Sequence, residues 1–328
     1  MRIGLPRTLI LYYRFLPLVA TFFRRLGVEL VVSPPSNKDL VAWGIASTVE
    51  DACLPLKVTF GHIHALDGAV DHIFLPRLVS LETGSSLCPK FIGLPDMAKS
   101  CLSVDLRLIS PVADVNKGKG GILETLGEAA RLLGFGPEET ERALGAAEHA
   151  QAAFRADCIL GKDPAALLES IEKEKPYVAP QEGDELELRV IGRSYLLFDP
   201  FISLEILGRL RGMGCRILTH ESVDHQTLDR ELGSYKRPPY WTLSREILGA
   251  AGYFMRQEEV DGVVFVLPFQ CGPASMVETL IEAVAARHPR MPYTSIVLDE
   301  HTGEAGLMTR LEAFLDMIRR RKARGSEN

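Results

Sequence analysis

The chain has 328 residues, of which 46 % are hydrophobic and 24 % charged. That length suffices for about two domains, and the composition excludes disordered and fibrous classes. A formal net charge of -6 and a pI near 5.8 argue against a general grip on nucleic acid, which needs clustered positive charge, and point to a small ligand or a protein partner.

The longest apolar stretch, TLILYYRFLPLVATFF, is interrupted by Arg14 and Pro17 and is followed by no small-residue cleavage site. It reads as a buried helix and not as a membrane span or signal peptide. With no targeting signal the expected compartment is the cytoplasm, where disulfides are rare, so the six cysteines are expected to be thiols or metal ligands.

In chain order, RIGLP reads as a first strand, PLVATFFRRLG as an amphipathic helix ending in glycine, and VELVVSP as a second strand, which together make a βαβ unit. LPLKVTFGHIHAL is expected to be helical, DHIFLPRLV a buried strand, ETGSSLCPKFIGLPDM a loop and LRLISPV a further strand. From about Gly118 to Lys175 the pattern is helical, and EKEKPYVAPQEGDE reads as a linker. The alternation then resumes with LELRVIGRSY, a helix through PFISLEILGRLRGMG, CRILTH, a helix around WTLSREILGAAGYF, VDGVVFVLPF, a helix after GPASM, YTSIVLD and a final helix EAGLMTRLEAFLDMIRRR. Strands alternating with helices imply parallel sheets covered on both faces. The expected fold is α/β: two lobes, each a parallel sheet flanked by helices, joined by a helical connector. The expected boundaries are an N-terminal lobe over 1–117, connector and linker over 118–185, and a C-terminal lobe with a long terminal helix over 186–328.

Three cysteines stand where strands end or helices begin. Cys53 lies in EDACLPLK, Cys88 in SSLCPKF and Cys271 in PFQCGPASM. Helix N-termini favour the thiolate, the metal-binding form, and thiolates suit zinc or iron–sulfur clusters. None of the three forms a C-x-x-C, which disfavours structural zinc, and the residues themselves leave buried thiols as the alternative to a metal site. Cys101, Cys158 and Cys215 lie in or beside regular apolar patterns and read as packing residues.

Asp299, Glu300, His301 and Glu304 follow the last strand. His301 or Glu300 could donate a proton or bind metal; alternatively Thr302 and Glu304 cap the final helix while His301 bonds backbone. Arg7 and Arg77, each beside a strand end, are candidates for an anionic substrate such as a carboxylate or CoA phosphate, or for plain salt bridges. KGKGG at 117–121 lacks the spacing of a phosphate-binding GxxxxGK[ST] loop, and the basic run RRRKAR reads as a complement to a helix C-terminus.

EDACLPLK, FLPRLVSLETGSSLCPKFIGLPDM, PFQCGPASM and LDEHTGEAGLMTRLEAFLDMIRRR, four separated motifs in order, resemble the 2-hydroxyacyl-CoA dehydratase and activase-related family (DUF2229-like), in the superfamily of the double-cubane cluster proteins. The resemblance implies one [4Fe-4S] cluster held by Cys53, Cys88 and Cys271 with one iron open. It implies electrons delivered at low potential by an ATP-hydrolysing activase or reductase that carries its own iron–sulfur cluster. The chain would then be an oxygen-sensitive enzyme reducing or dehydrating a small molecule, with His301 and Glu300 catalytic and Arg7, Arg77 and Tyr195 binding substrate. The alternative is a non-catalytic electron carrier or cluster-bearing subunit. No nucleic acid or membrane is involved in either case, and a homodimer is compatible with both. The chain departs from the family pattern at GRSYLLFD, where a histidine–proline–tyrosine run is expected and only Tyr195 and Asp199 remain. It departs again at Gln270, where glycine is expected, and at Ala274, where an acidic residue is expected.

Overall fold

A computed structural model describes residues 1–102 and 107–325. It contains ten strands: β1 (Arg2–Leu5), β2 (Glu29–Val32), β3 (His72–Phe74), β4 (Arg77–Ser80), β5 (Leu108–Ile109), β6 (Val112–Asp114), β7 (Leu186–Gly192), β8 (Cys215–Thr219), β9 (Gly262–Pro268) and β10 (Tyr293–Leu298). Every strand pair is parallel, as the βα alternation requires, and helices flank the sheets. The α/β expectation holds. The chain divides into two compact units, Met1–Ala179 with Pro239–Leu243, and Pro180–Pro238 with Ser244–Asn328.

In the first unit a four-stranded sheet has the order β2-β1-β3-β5, and β4 pairs with β6 in a separate two-stranded sheet. The expected single strand DHIFLPRLV is thus two strands. Pro76 has no N–H to give a ladder and restricts the residue before it, so the chain leaves one sheet at Leu75 and enters the next at Arg77. LRLISPV is divided in the same way at Ser110–Pro111; its first residue, Leu106, lies outside the described residues. The apolar stretch near the N-terminus forms two helices, Leu9–Tyr13 and Leu16–Arg25, with the break at Arg14 and Phe15. Among the described residues no helix is long and apolar enough to cross a membrane.

The helical region contains Ile122–Leu132, Pro137–Ile159 and Pro164–Glu172. Asp163 caps the last of these by accepting the Ala166 N–H at 2.8 Å, the usual role of an aspartate at that position. These helices fall within the first unit. So does Pro239–Leu243, where the Ser86 N–H donates to the Tyr240 carbonyl at 3.2 Å and the Thr242 N–H to the Ser86 carbonyl at 3.0 Å.

In the second unit the sheet order is β10-β9-β7-β8. β9 and β7 occupy its centre and are fully buried or nearly so, and β9, GVVFVLP, accordingly reads as a continuous apolar run, whereas β7, LELRVIG, carries Glu187 and Arg189 in its first half. The final helix, Glu304–Gly325, is fastened by its basic end: Arg319 pairs with Glu185 at 2.7 Å and Lys322 with Asp261 at 2.8 Å.

The helix that follows Cys53, Leu54–Leu66, crosses the helix Lys38–Ala46 at very short range. A Cβ built on Gly61 would stand 2.2 Å from the Leu40 carbonyl oxygen, and one on Gly44 would stand 2.1 Å from that of Lys57. Only glycine permits this approach of backbones. Gly61→Ala should therefore destabilise the chain by about 1–3 kcal/mol through overpacking, read as a lower urea midpoint. A midpoint equal to wild type would show that the crossing tolerates separation.

Candidate functional site

Cys53, Cys88 and Cys271 share one local structure. Each is the residue preceding a helix, with extended backbone, and each helix carries proline in its first turn: Pro55 in Leu54–Leu66, Pro89 in Pro89–Ile92 and Pro273 in Gly272–Arg287. Proline fits there because the N–H it lacks would have no helical partner. The cysteine carbonyls accept the first helical bonds, from Leu56 at 2.9 Å, Phe91 at 3.0 Å and Ser275 at 2.9 Å respectively. All six cysteines are free thiols; Cys158 and Cys215 are buried, and burial pushes the Cys215 thiol up to about 11.

The recurrence places all three cysteines at helix starts. Cys53 and Cys88 belong to the first unit and Cys271 to the second. Among the described residues no three or more His, Cys, Asp or Glu side chains are gathered so that they could hold a metal ion.

The two arginines expected to bind a substrate anion are already committed. Arg7 forms an ion pair with Glu172, donates from Nη1 to the Tyr12 hydroxyl at 2.6 Å and from Nε to the Ser33 carbonyl at 3.2 Å. Tyr12 also donates to Glu172, and burial holds its phenol well above the ordinary range. Arg77 donates to the Ile92 carbonyl at 2.7 Å and to Asp96 at 2.6 Å, tying β4 to the helices after Cys88. Tyr195 lies buried in the short helix Ser194–Leu197.

At the end of β10, Asp299 accepts the His301 N–H at 2.9 Å and the Thr302 hydroxyl at 2.7 Å, while Thr302 accepts the Asp299 N–H at 2.9 Å. The Thr302 hydroxyl, followed by the His301 N–H, keeps the Asp299 carboxyl below its usual range. His301 is exposed, and Glu304 pairs with Arg209 at 2.8 Å.

The residues that the sequence reading passed over lie at the ends of β7 and β8. Arg193 directly follows β7 and is 4 % exposed. Ser194 donates to Glu221 at 2.5 Å, and His220 stands 3.6 Å from the same Glu221 oxygen; all three are buried. Gln270, just before Cys271, has a positive φ of 59°, a conformation that asks for glycine. The available signal was a charged residue placed immediately after the strand LELRVIG, at the strand end where open α/β sheets bind ligands.

The fold and this strand edge define an α/β protein of parallel sheets with buried polar groups at one sheet edge. Residues 2–223 match the family described as CoA enzyme activase uncharacterised domain (DUF2229), and the chain belongs to it. No curated protein matches the chain. The family assignment, with no metal-holding group among the described residues, overturns the expectation of an iron–sulfur protein that reduces or dehydrates a substrate at an open iron, and equally that of a cluster-bearing electron carrier.

One buried titratable group belongs to the architecture. His62, fully buried in the helix after Cys53, has Nδ1 2.9 Å from Ser33 Oγ and Nε2 3.0 Å from Ser36 Oγ. Ser33 Oγ also accepts the Arg7 N–H at 2.8 Å, and a neutral ring satisfies both hydroxyls, one nitrogen donating and the other accepting. Burial, then the Arg7 charge, lowers its pKa from 6.5 to about 3. The unfolded chain binds this proton first, so the stability is complete above pH 6.5 and is lost as pH falls towards 3. His62→Gln should flatten the acid limb of the unfolding free energy by about 1.4 kcal/mol per pH unit in that window, as followed by urea titrations at several pH values. An unchanged slope would contradict the neutral assignment.

Proposed function

We propose that this chain is a component of an activating system for a CoA-dependent enzyme and acts by associating with a protein partner. The observation that carries this reading is the match of residues 2–223 to a CoA enzyme activase domain family. In this reading the served enzyme is of the 2-hydroxyacyl-CoA dehydratase class, on the strength of the motif resemblance, and ATP hydrolysis is assigned to the partner. The compartment is the cytoplasm, in keeping with six free thiols.

Internal pairing of Arg7 and Arg77 supports a scaffolding role for the first unit, since neither guanidinium is held ready for a CoA phosphate. A net charge of -6 favours partners with basic docking surfaces.

Depleting the full-length chain from an anaerobic extract of its native cells should lower ATP-dependent conversion of 2-hydroxyacyl-CoA esters about tenfold or more, and adding back the purified chain should restore it. ATP-dependent conversion that persists at full rate after depletion would contradict the proposal.

A further inference from the structure

The parallel register of the second sheet places β7, β8, β9 and β10 with their C-terminal ends at one edge: Gly192 pairs with Val266, Val190 with Thr219 and Leu298 with Pro268. Arg193 is the first residue beyond β7 at that edge. Its guanidinium is held at one nitrogen only. Nη2 donates to Ser244 Oγ at 3.0 Å, and Ser244 Oγ in turn donates to the Pro273 carbonyl at 3.1 Å. Ser244 is wholly buried, so this anchor is fixed by the packing of the helix Thr242–Phe254.

The other nitrogens have no acceptor. Nε and Nη1 of Arg193 are buried and make no hydrogen bond, and no carboxylate is paired with Arg193 among the described residues. The other buried charges of the unit have partners of their own: Asp199 accepts the Phe201 and Ile202 N–H groups at 3.0 and 3.3 Å. Arg189 pairs with Glu187 at 3.3 Å, and Glu221 accepts from Ser194 at 2.5 Å. A guanidinium withdrawn from water without a counter-charge costs several kcal/mol, and buried donors left empty add to that cost. The surroundings already favour negative charge. Ser244 lies in the first turn of Thr242–Phe254 and Pro273 in that of Gly272–Arg287, so two helix N-termini direct their positive ends to the same place.

We propose that Arg193 is the binding residue for a small carboxylate at the C-terminal edge of the second sheet, the acid's oxygens accepting from Nε and Nη1 while Ser244 holds Nη2. A monoanion matches the single charge of the guanidinium. A dianionic phosphate would bring a second negative charge to an edge that already buries Glu221. Arg193, Ser244 and Pro273 all belong to the second unit.

The test uses the full chain. Thermal unfolding is followed in sodium acetate and sodium propionate against sodium chloride and inorganic phosphate at matched ionic strength. In parallel, the Arg193 Nε–H resonance is observed in arginine-labelled protein and assigned with Arg193→Lys. Acetate or propionate should raise the midpoint saturably by roughly 5 °C and move the Arg193 resonance, with both effects absent in Arg193→Gln. Should that variant fail to fold, Ser244→Ala, which frees Nη2, should weaken acetate binding by about five- to tenfold. The assignment is overturned if carboxylates act no differently from chloride, if phosphate binds in preference, if Arg193→Gln keeps the response, or if Ser244→Ala binds acetate as wild type does.

Discussion

The structure of the second unit turns on parallel strand pairing. Because β10, β9, β7 and β8 all run the same way, whatever residue follows each strand is delivered to a common edge, and the central strands are sealed from water on both faces. A polar residue at that edge must find a partner inside the protein or wait for one from outside. Glu221 and Asp299 find theirs within the unit, in Ser194 after β7 and in Thr302 three residues on. Arg193 finds only Ser244, and its remaining donors mark the edge as a place for a ligand.

The first unit resolves the same problem by internal neutralisation. Arg7, Tyr12 and Glu172 satisfy one another, and His62 is kept uncharged between two serine hydroxyls. These groups bind the β1 turn to the helix after Cys53 and to the helical region ending at Glu172. Charges arranged in this way hold a fold in register but have no free valence for substrate. The glycine crossing at Gly44 and Gly61 serves the same end with backbone contact alone.

Much of this was legible in the sequence. The apolar run of β9, the helix-ending glycines and the linker EKEKPYVAPQEGDE pointed to the alternation and hence to the parallel α/β class. What failed to show was where proline would divide a run, as at Pro76 and Pro111, because only the separate pairings distinguish the halves: β3 with β1 and β5, β4 with β6. The three Cys–Pro segments were read towards a shared cluster. Each of them also stands directly before a helix with proline in its first turn, a local pattern that the spacing displays as well. Arg193 was hidden for the opposite reason: in GRSY it looks like a departure from a family pattern, and its importance comes from burial and from the lack of a counter-charge, neither of which a sequence displays.

Membership in the CoA enzyme activase domain family gives the chain a setting among protein partners, while the Arg193 edge gives it chemistry of its own. The most direct measurement is a crystal structure of the full chain grown in acetate. The account predicts planar density for a carboxylate against Nε and Nη1 of Arg193, with Ser244 still bonded to Nη2. A guanidinium paired instead with Glu221 or another protein carboxylate, its donors filled from within, would contradict it.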